Sequence, residues 1–391
     1  MKAFDVAIIG GGIIGSSIAF ELAVEKLDVV LLDREEPGRG ASWAAAGMLS
    51  PGPDSAEALP LVPLAKESLQ LYPQFIGRIE EASQPFMHFA SNGALQIFSG
   101  PFAEIDRDKM VSDFQGLGIE IEPVSLETAR KLESLISPSA HAAAWLPREA
   151  TVDPRSLMDS ILAALRRRRV EIRAGCSVTS ISHEGASCTG VTAGGEDVKA
   201  KFVIVAAGCH SAALAGKNAV VNDWLSRYAP TRPVRGQMLA LHSNEIRLHR
   251  VLRSDRGYLV PRHEGRIVAG STLEDVGFDK GLTAGGIRKI LDAAIELAPK
   301  IAEARIVETW AGLRPGSPDN LPIIGPTDIA GLFIATGHYR NGILLAPITA
   351  KIVRDWVRSG QMPAFTEIFS PLRFKSKNLQ QNASRGTAAS S

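Results

Sequence analysis

The sequence predicts an α/β fold, α+β over the chain as a whole, built from two interleaved domains. The first observation is at the N-terminus. An apolar strand, a glycine turn and a helix ("DVAIIGGGIIGSSIAFELA") lead into a second apolar run that ends on Asp33. The second is "KFVIVAAG", a continuous apolar run that suits a buried parallel strand and stands far along the chain. The third is "GLFIATGHYRNGILLAPITAKIVRDWV" near the C-terminus, which reads as strand, turn and helix. Strand-rich stretches with alternating apolar residues, such as "GYLVPRHEGRIVAGST", separate these pieces. The pieces of one sheet are therefore split by insertions that build another.

Taken in order, the opening strand, helix and strand form a βαβ unit. A run of small residues follows, "RGASWAAAGMLSPG". Residues 58 to 81 read as helix by periodicity. Residues 86 to 146 carry strand pieces ("FASNGALQIFS") and one helical piece ("SLETARKLESLI"). "DPRSLMDSILAALRRRRV" is a helix introduced by Asp-Pro. Its basic run, Arg166 to Arg169, suits a solvated helix C-terminus. Strands and a hairpin follow up to "KFVIVAAGCHS", then alternating strands from Trp224 to Val307 with one helix before Pro299. The expected division is 1–84, 146–223 and 308–372 for a discontinuous nucleotide-binding domain, 85–145 and 224–307 for the inserted domain, and 373–391 for a polar disordered tail.

A length of 391 residues fits about two domains. Apolar residues make up 45%, enough for ordinary cores, and the net charge of +1 offers no footprint for nucleic acid or an anionic membrane. The three cysteines, Cys176, Cys188 and Cys209, are odd in number and irregularly spaced, so incidental thiols in a reducing cytoplasm are expected and a disulfide framework is not. No apolar run is long enough to span a bilayer, and no signal peptide is visible. The histidines are scattered without metal-ligand spacing, so no metal site is expected.

"GGGIIG" supplies Gly10, Gly12 and Gly15 in the spacing G-x-G-x-x-G. The first glycine makes the turn, the second admits a pyrophosphate, and the third lets the helix pack on the strand. The helix N-terminus offers free N–H groups to the phosphates. Asp33, closing the next strand, stands where a carboxylate holds ribose hydroxyls. The nucleotide fold is therefore Rossmann-like. The small residues Ala44 to Gly47 would let backbone run against a flat ring system, and the C-terminal helix would aim its N-terminus at another group. A flavin fits both, because its reduced ring carries charge that a helix dipole stabilises. FAD is thus preferred to NAD.

The N-terminal motif together with "ASWAAAGML", "GYLVPR", "WAGLRPGSPDNLPIIG" and "GHYRNGILLAP" resembles the D-amino-acid-oxidase-like FAD-dependent oxidoreductases, and among them the glycine-oxidase branch associated with thiamine biosynthesis. The resemblance runs from Phe4 to about Val357. It implies non-covalent FAD, oxidation of a small amino acid to an imine by hydride transfer from Cα to flavin N5, oxygen as acceptor and hydrogen peroxide as product. It carries FAD contacts onto Ile13, Ile14, Asp33, Arg34, Ala41, Ser42, Ala46, Gly47, Met48 and Val178, and onto His338, Tyr339, Arg340, Asn341, Gly342, Ile343 and Leu344. Ala207 and Gly208, ending "KFVIVAAG", join these candidates. It carries substrate contacts onto Tyr258, Arg314 and Arg340, and it implies a homo-oligomer, a tetramer among the options. The chain departs from the pattern at Asp33, where glutamate is commoner, and at Trp43, Leu273 and Arg256.

The chemistry asks for a cation to orient the substrate carboxylate, and an arginine fork suits it. Arg314 is the main clamp, Tyr258 a hydroxyl for the same carboxylate, and Arg340 either a second contact or a lock on its turn. No acid–base constellation stands out, so positioning would carry the reaction. His338 is read as a turn residue that shapes the pocket, not as a base. Glu274 and Asp275 are expected in a loop or at the pocket edge. Two other readings share these motifs: a dehydrogenase passing electrons to an acceptor other than oxygen, and a flavoprotein subunit without turnover.

Overall fold

The computed structural model describes residues 2–83, 87–214 and 223–374. Its first sheet has a parallel centre in the order Glu171–Arg173, Val29–Leu32, Ala3–Ile9, Glu196–Val205 and Leu332–Thr336. Ile323–Pro326 adds an antiparallel strand at one side, and the hairpin Val178–Glu184 with Ser187–Ala193 extends the start of Glu196–Val205. The central strands are apolar on both faces because both faces are covered, so their sequences read as runs rather than alternations. The helices Ile13–Val24 and Gly342–Ser359 pack side by side in one core, through Ile18, Phe20, Ile348 and Val353 among others.

The second sheet has eight strands: Arg305–Gly316, Arg232–His242, Arg266–Gly270, Tyr258–Pro261, Val251–Arg253, Ala94–Phe98, Ala142–Leu146 and Glu122–Val124. All its pairings are antiparallel except Val251–Arg253 against Ala94–Phe98. A third, small sheet pairs Met48–Leu49, Ala150–Val152 and Phe89–Ala90.

Several expectations change in detail. The strand Arg305–Gly316 lies in the second sheet, so the boundary expected between 307 and 308 cuts through a strand. The boundary at 223/224 falls inside the helix Asp223–Tyr228, and that at 84/85 lies outside the described residues. The tail beyond Phe374 lies outside them too. The helix expected from 58 to 81 comes as a 3₁₀ turn, Ala56–Leu61, followed by the helix Val62–Ser83. A helix at Ala103–Gly116 was not expected. Only Ala103, Val111 and Phe114 of it are buried, so it carries no apolar stripe to read. The Asp-Pro helix runs Pro154–Arg167, with the Asp153 side chain accepting from the Arg155 amide and Arg166 and Arg167 in its last turn.

The helix Gly342–Ser359 contains Pro347, which leaves the Ile343 carbonyl without its N–H partner four residues on. The buried Tyr72 hydroxyl donates to that carbonyl at 2.6 Å, and Ser68 Oγ donates to the next one, Leu344, at 2.6 Å. The first turn of this helix is thereby held by the helix Val62–Ser83.

Candidate active site

One cavity runs between the two large sheets, and Gly10, Asp33, Ala46, Arg314 and Arg340 all line it. At its nucleotide side the backbone leaves no room for side chains. Gly10 has φ +106°, and a Cβ there would stand 2.4 Å from the Ala206 carbonyl oxygen. A Cβ on Gly15 would stand 1.9 Å from the Gly10 oxygen, so Gly15 serves helix–strand packing and does not line the cavity. The Asp33 carboxylate accepts from the Gly11 amide at 2.7 Å and from the Glu35 amide at 2.9 Å. Ser42 Oγ accepts from the Ile13 amide at 2.9 Å. These bonds brace the turn and present the start of the helix Ile13–Val24 to the cavity. Arg34 pairs with Glu35 at 3.0 Å and lies against the His210 ring, which stacks on Phe278 with centroids 4.7 Å apart.

The segment Ala41–Met48 crosses from this turn to the second sheet. Gly47 has φ +70°, and a Cβ there would meet the Val152 carbonyl oxygen at 2.0 Å. Arg262, buried, donates to the Ala46 carbonyl. Burial pushes its guanidinium down to about 10. Trp43, unusual by sequence, is explained by its neighbours. The Arg155 guanidinium lies 3.5 Å from its ring centroid and pairs through two 2.9 Å bonds with Glu308, while Trp310 packs edge-on to it. The bulky ring thus pins the segment to the strand Arg305–Gly316.

On the side of the second sheet, Arg314 and Tyr258 lie on strands that do not neighbour each other. Arg314 pairs with Val234, and Tyr258 pairs with Gly270, which pairs with Met238. Two glycines on the intervening strands let the long side chains lean together. A Cβ on Gly236 would stand 2.2 Å from Arg314 Nη1, and one on Gly270 would stand 2.7 Å from the Tyr258 hydroxyl. Arg314 donates to Ser271 Oγ at 2.7 Å and to the Thr272 carbonyl at 3.2 Å. Among the described residues no carboxylate pairs with it. Burial lowers its pKa from the ordinary arginine value, and the nearby Tyr258 hydroxyl counteracts that in part.

The turn before the C-terminal helix closes the cavity. Tyr339 has φ +48°, and its amide donates to the Pro315 carbonyl at 3.0 Å, which sets the turn beside Arg314. Arg340 pairs with Asp54 at 2.5 Å. His338 is buried, and its Nε2 lies 3.0 Å from Thr349 Oγ1. Burial pushes His338 down to about 3, so the ring is neutral and unsuited to act as a base near neutral pH.

Of the candidates named from sequence, Gly10, Gly12, Ile13, Ile14, Asp33, Arg34, Ala41, Ser42, Ala46, Gly47, Met48, Ala207, Gly208, His338, Tyr339, Gly342 and Ile343 line the cavity, as do Tyr258, Arg314 and Arg340. Val178, Asn341, Leu344 and Gly15 do not. Val178 starts an outer strand, and Asn341 lines a small adjoining hollow. Leu344 is turned into the core. Arg256 pairs with Glu296 away from the cavity, and Leu273 is exposed. Glu274 and Asp275 stay off the lining as well: Glu274 pairs with buried Arg235, and Asp275 lies 3.9 Å from Arg232. Lining residues that the sequence did not single out include Met238, Ser271, His210 and Lys280. Met238 lies two residues from Gly236 on one face, but only the pairing of distant strands brings that face to the cavity.

Among the described residues no helix is long and apolar enough to cross a membrane, and no cluster of three or more His, Cys, Asp or Glu could hold a metal.

The glycine cradle, the two helix N-termini and the small-residue segment match what an extended dinucleotide with a flat ring requires. Comparisons with known proteins agree. The chain is 33% identical to a glycine oxidase of Pseudomonas putida over 90% of this chain and 93% of that one. It is 33% identical to a bifunctional ThiO/ThiG protein of Trichormus variabilis over 95% of this chain, and it spans about half the length, 55%, of that relative. Among solved structures, glycine oxidase from Geobacillus kaustophilus superposes with a TM-score of 0.86 at 29% identity, covering 95% of this chain and 98% of that one. The family model of FAD dependent oxidoreductases (DAO) matches residues 5–356. With the cradle and the match extending over nearly the whole fold, the chain belongs to the DAO family of FAD dependent oxidoreductases.

Proposed function

We propose that this chain oxidises glycine or another small amine or amino acid, with FAD as cofactor and oxygen as acceptor. The observation that carries the reading is Arg314. It is a largely buried guanidinium with no acidic partner among the described residues, beside the Tyr258 hydroxyl, in a cavity shared with the dinucleotide cradle. A buried cation without a counterion is costly unless a ligand supplies one, and a substrate carboxylate would.

Bound FAD would supply the acceptor for the two electrons leaving the substrate. Gly10, Gly12, Asp33, Ser42, Ala46, Gly47, Gly342 and Ile343 would hold it. Arg314 would take both carboxylate oxygens and Tyr258 would add a third bond, orienting Cα. Among the described residues none at this end is suited to remove a proton from the ammonium, so the amine would react in its neutral form. The product imine would hydrolyse to glyoxylate and ammonia, with peroxide formed from oxygen. The first sheet would then serve as the FAD-binding domain and the second as the substrate-binding domain. A step in thiamine thiazole biosynthesis, a cytoplasmic location and a homo-oligomer complete the proposal.

The test is a panel of glycine, sarcosine and small D-amino acids with peroxide readout in air, paired with anaerobic bleaching of the flavin. Peroxide from glycine supports the oxidase. Bleaching without peroxide assigns a dehydrogenase with another acceptor, and no bleaching by any amine overturns the proposal.

A further inference from the structure

The cavity carries two arginines suited to an anionic substrate, but only one is free to bind it. Arg314 has no acidic partner among the described residues, whereas Arg340 Nη1 lies 2.5 Å from Asp54 Oδ2. The Asp54 side chain is 42% exposed there. It lies on the short segment between Ser50 and the 3₁₀ turn Ala56–Leu61. Ser50 Oγ, at the root of that segment, donates to Glu149 at 2.6 Å and accepts from Arg253 at 3.0 Å. Asp54 also shares a small hollow with Asn341, the residue after Arg340. The acids that line the cavity itself, Asp33, Glu35 and Glu36, all follow the strand Val29–Leu32 and belong to the nucleotide side.

We propose that Asp54 is a specificity-determining residue. By neutralising Arg340, it restricts the site to amines bearing one carboxylate and excludes those bearing two. The inference rests on the substrate reading above. One carboxylate on Arg314 satisfies the single uncompensated guanidinium. A second carboxylate directed at Arg340 would meet the charge of Asp54 or have to displace it, and like charges at close range repel. Monocarboxylate substrates never engage this conflict.

The experiment uses the FAD-loaded full chain and two anions that cannot be oxidised there, acetate and malonate. Each is titrated while the visible flavin band is followed. The expected result is that Asp54→Asn improves malonate affinity relative to acetate by about two- to fivefold, the usual scale of one exposed charge pair. In the double variant Asp54→Asn, Arg340→Ala that gain is lost. An unchanged malonate-to-acetate ratio in Asp54→Asn overturns the role of Asp54 and leaves the carboxylate site standing. A gain that persists without Arg340 also overturns it. Failure of acetate to bind the wild-type protein at all removes the carboxylate site, and this inference with it.

Discussion

The Arg314 guanidinium donates to Ser271 Oγ at 2.7 Å while the Tyr258 hydroxyl stands beside it, and no acid of the protein answers its charge among the described residues. The fold thus holds a cation in a place where it gains little until an anion arrives. Stability and function should therefore pull apart at this residue.

Arg314→Met should weaken productive substrate binding, lowering kcat/KM for the best amine by about 2–4 kcal/mol of transition-state stabilisation, roughly 30- to 1,000-fold. FAD should stay bound, and the melting temperature should hold or rise because a buried unpaired charge is gone. Arg314→Lys should fall between, since it keeps the charge and loses the fork. Steady-state kinetics and a thermal melt on the same samples check both halves.

Asp33→Asn should weaken FAD. The carboxylate accepts from two amides, Gly11 and Glu35, and an asparagine side chain offers only one accepting oxygen in its place. One amide is left unsatisfied, costing about 1–3 kcal/mol, which should appear as a five- to hundredfold rise in the FAD dissociation constant. Quenching of flavin fluorescence on binding measures it.

Tyr72→Phe should destabilise the chain by about 1–3 kcal/mol, because Pro347 cannot donate to the Ile343 carbonyl and the buried hydroxyl is its hydrogen-bond partner. The first turn of the C-terminal helix should loosen with it. Hydrogen exchange around Gly342–Leu345 should quicken more than elsewhere, whereas a general packing defect would spread the change over the whole core.

His338 should govern acid stability and not catalysis. Burial holds it at about 3 in the folded state against an ordinary 6.5, so the unfolded chain takes up its proton first. Its contribution is complete above 6.5 and is lost as pH falls from there towards 3. His338→Asn should therefore flatten the fall in stability across that window, measured by denaturant melts at several pH values. The kcat/KM profile between pH 7 and 9 should keep its shape. A lost or shifted limb there would make His338 a base after all.

The glycine turn, the parallel strands and the C-terminal helix could be read from the sequence because each rests on local rules. Apolar runs, helical periodicity and the backbone freedom of Gly10 act within a few residues. The segment 41–48 was legible in the same way, as a run of small residues. The helix Ala103–Gly116 was not, because its exposed surface leaves no apolar stripe. Arg340 could be placed at the mouth of a buried helix, but whether it was free or paired could not, since Asp54 lies far away in sequence.

By itself, then, the sequence determined a split α/β sheet with a glycine turn suited to a dinucleotide, and it pointed to many of the residues that line the cavity beside that turn, because main-chain geometry and helix termini follow from neighbouring residues. Only the tertiary structure decided the chemistry of the other end. Tyr258 and Arg314 approach each other because strands distant in sequence pair across Gly236 and Gly270. The charge each arginine presents depends on which acid the fold carries to it, and side-chain electrostatics act through space and not along the chain.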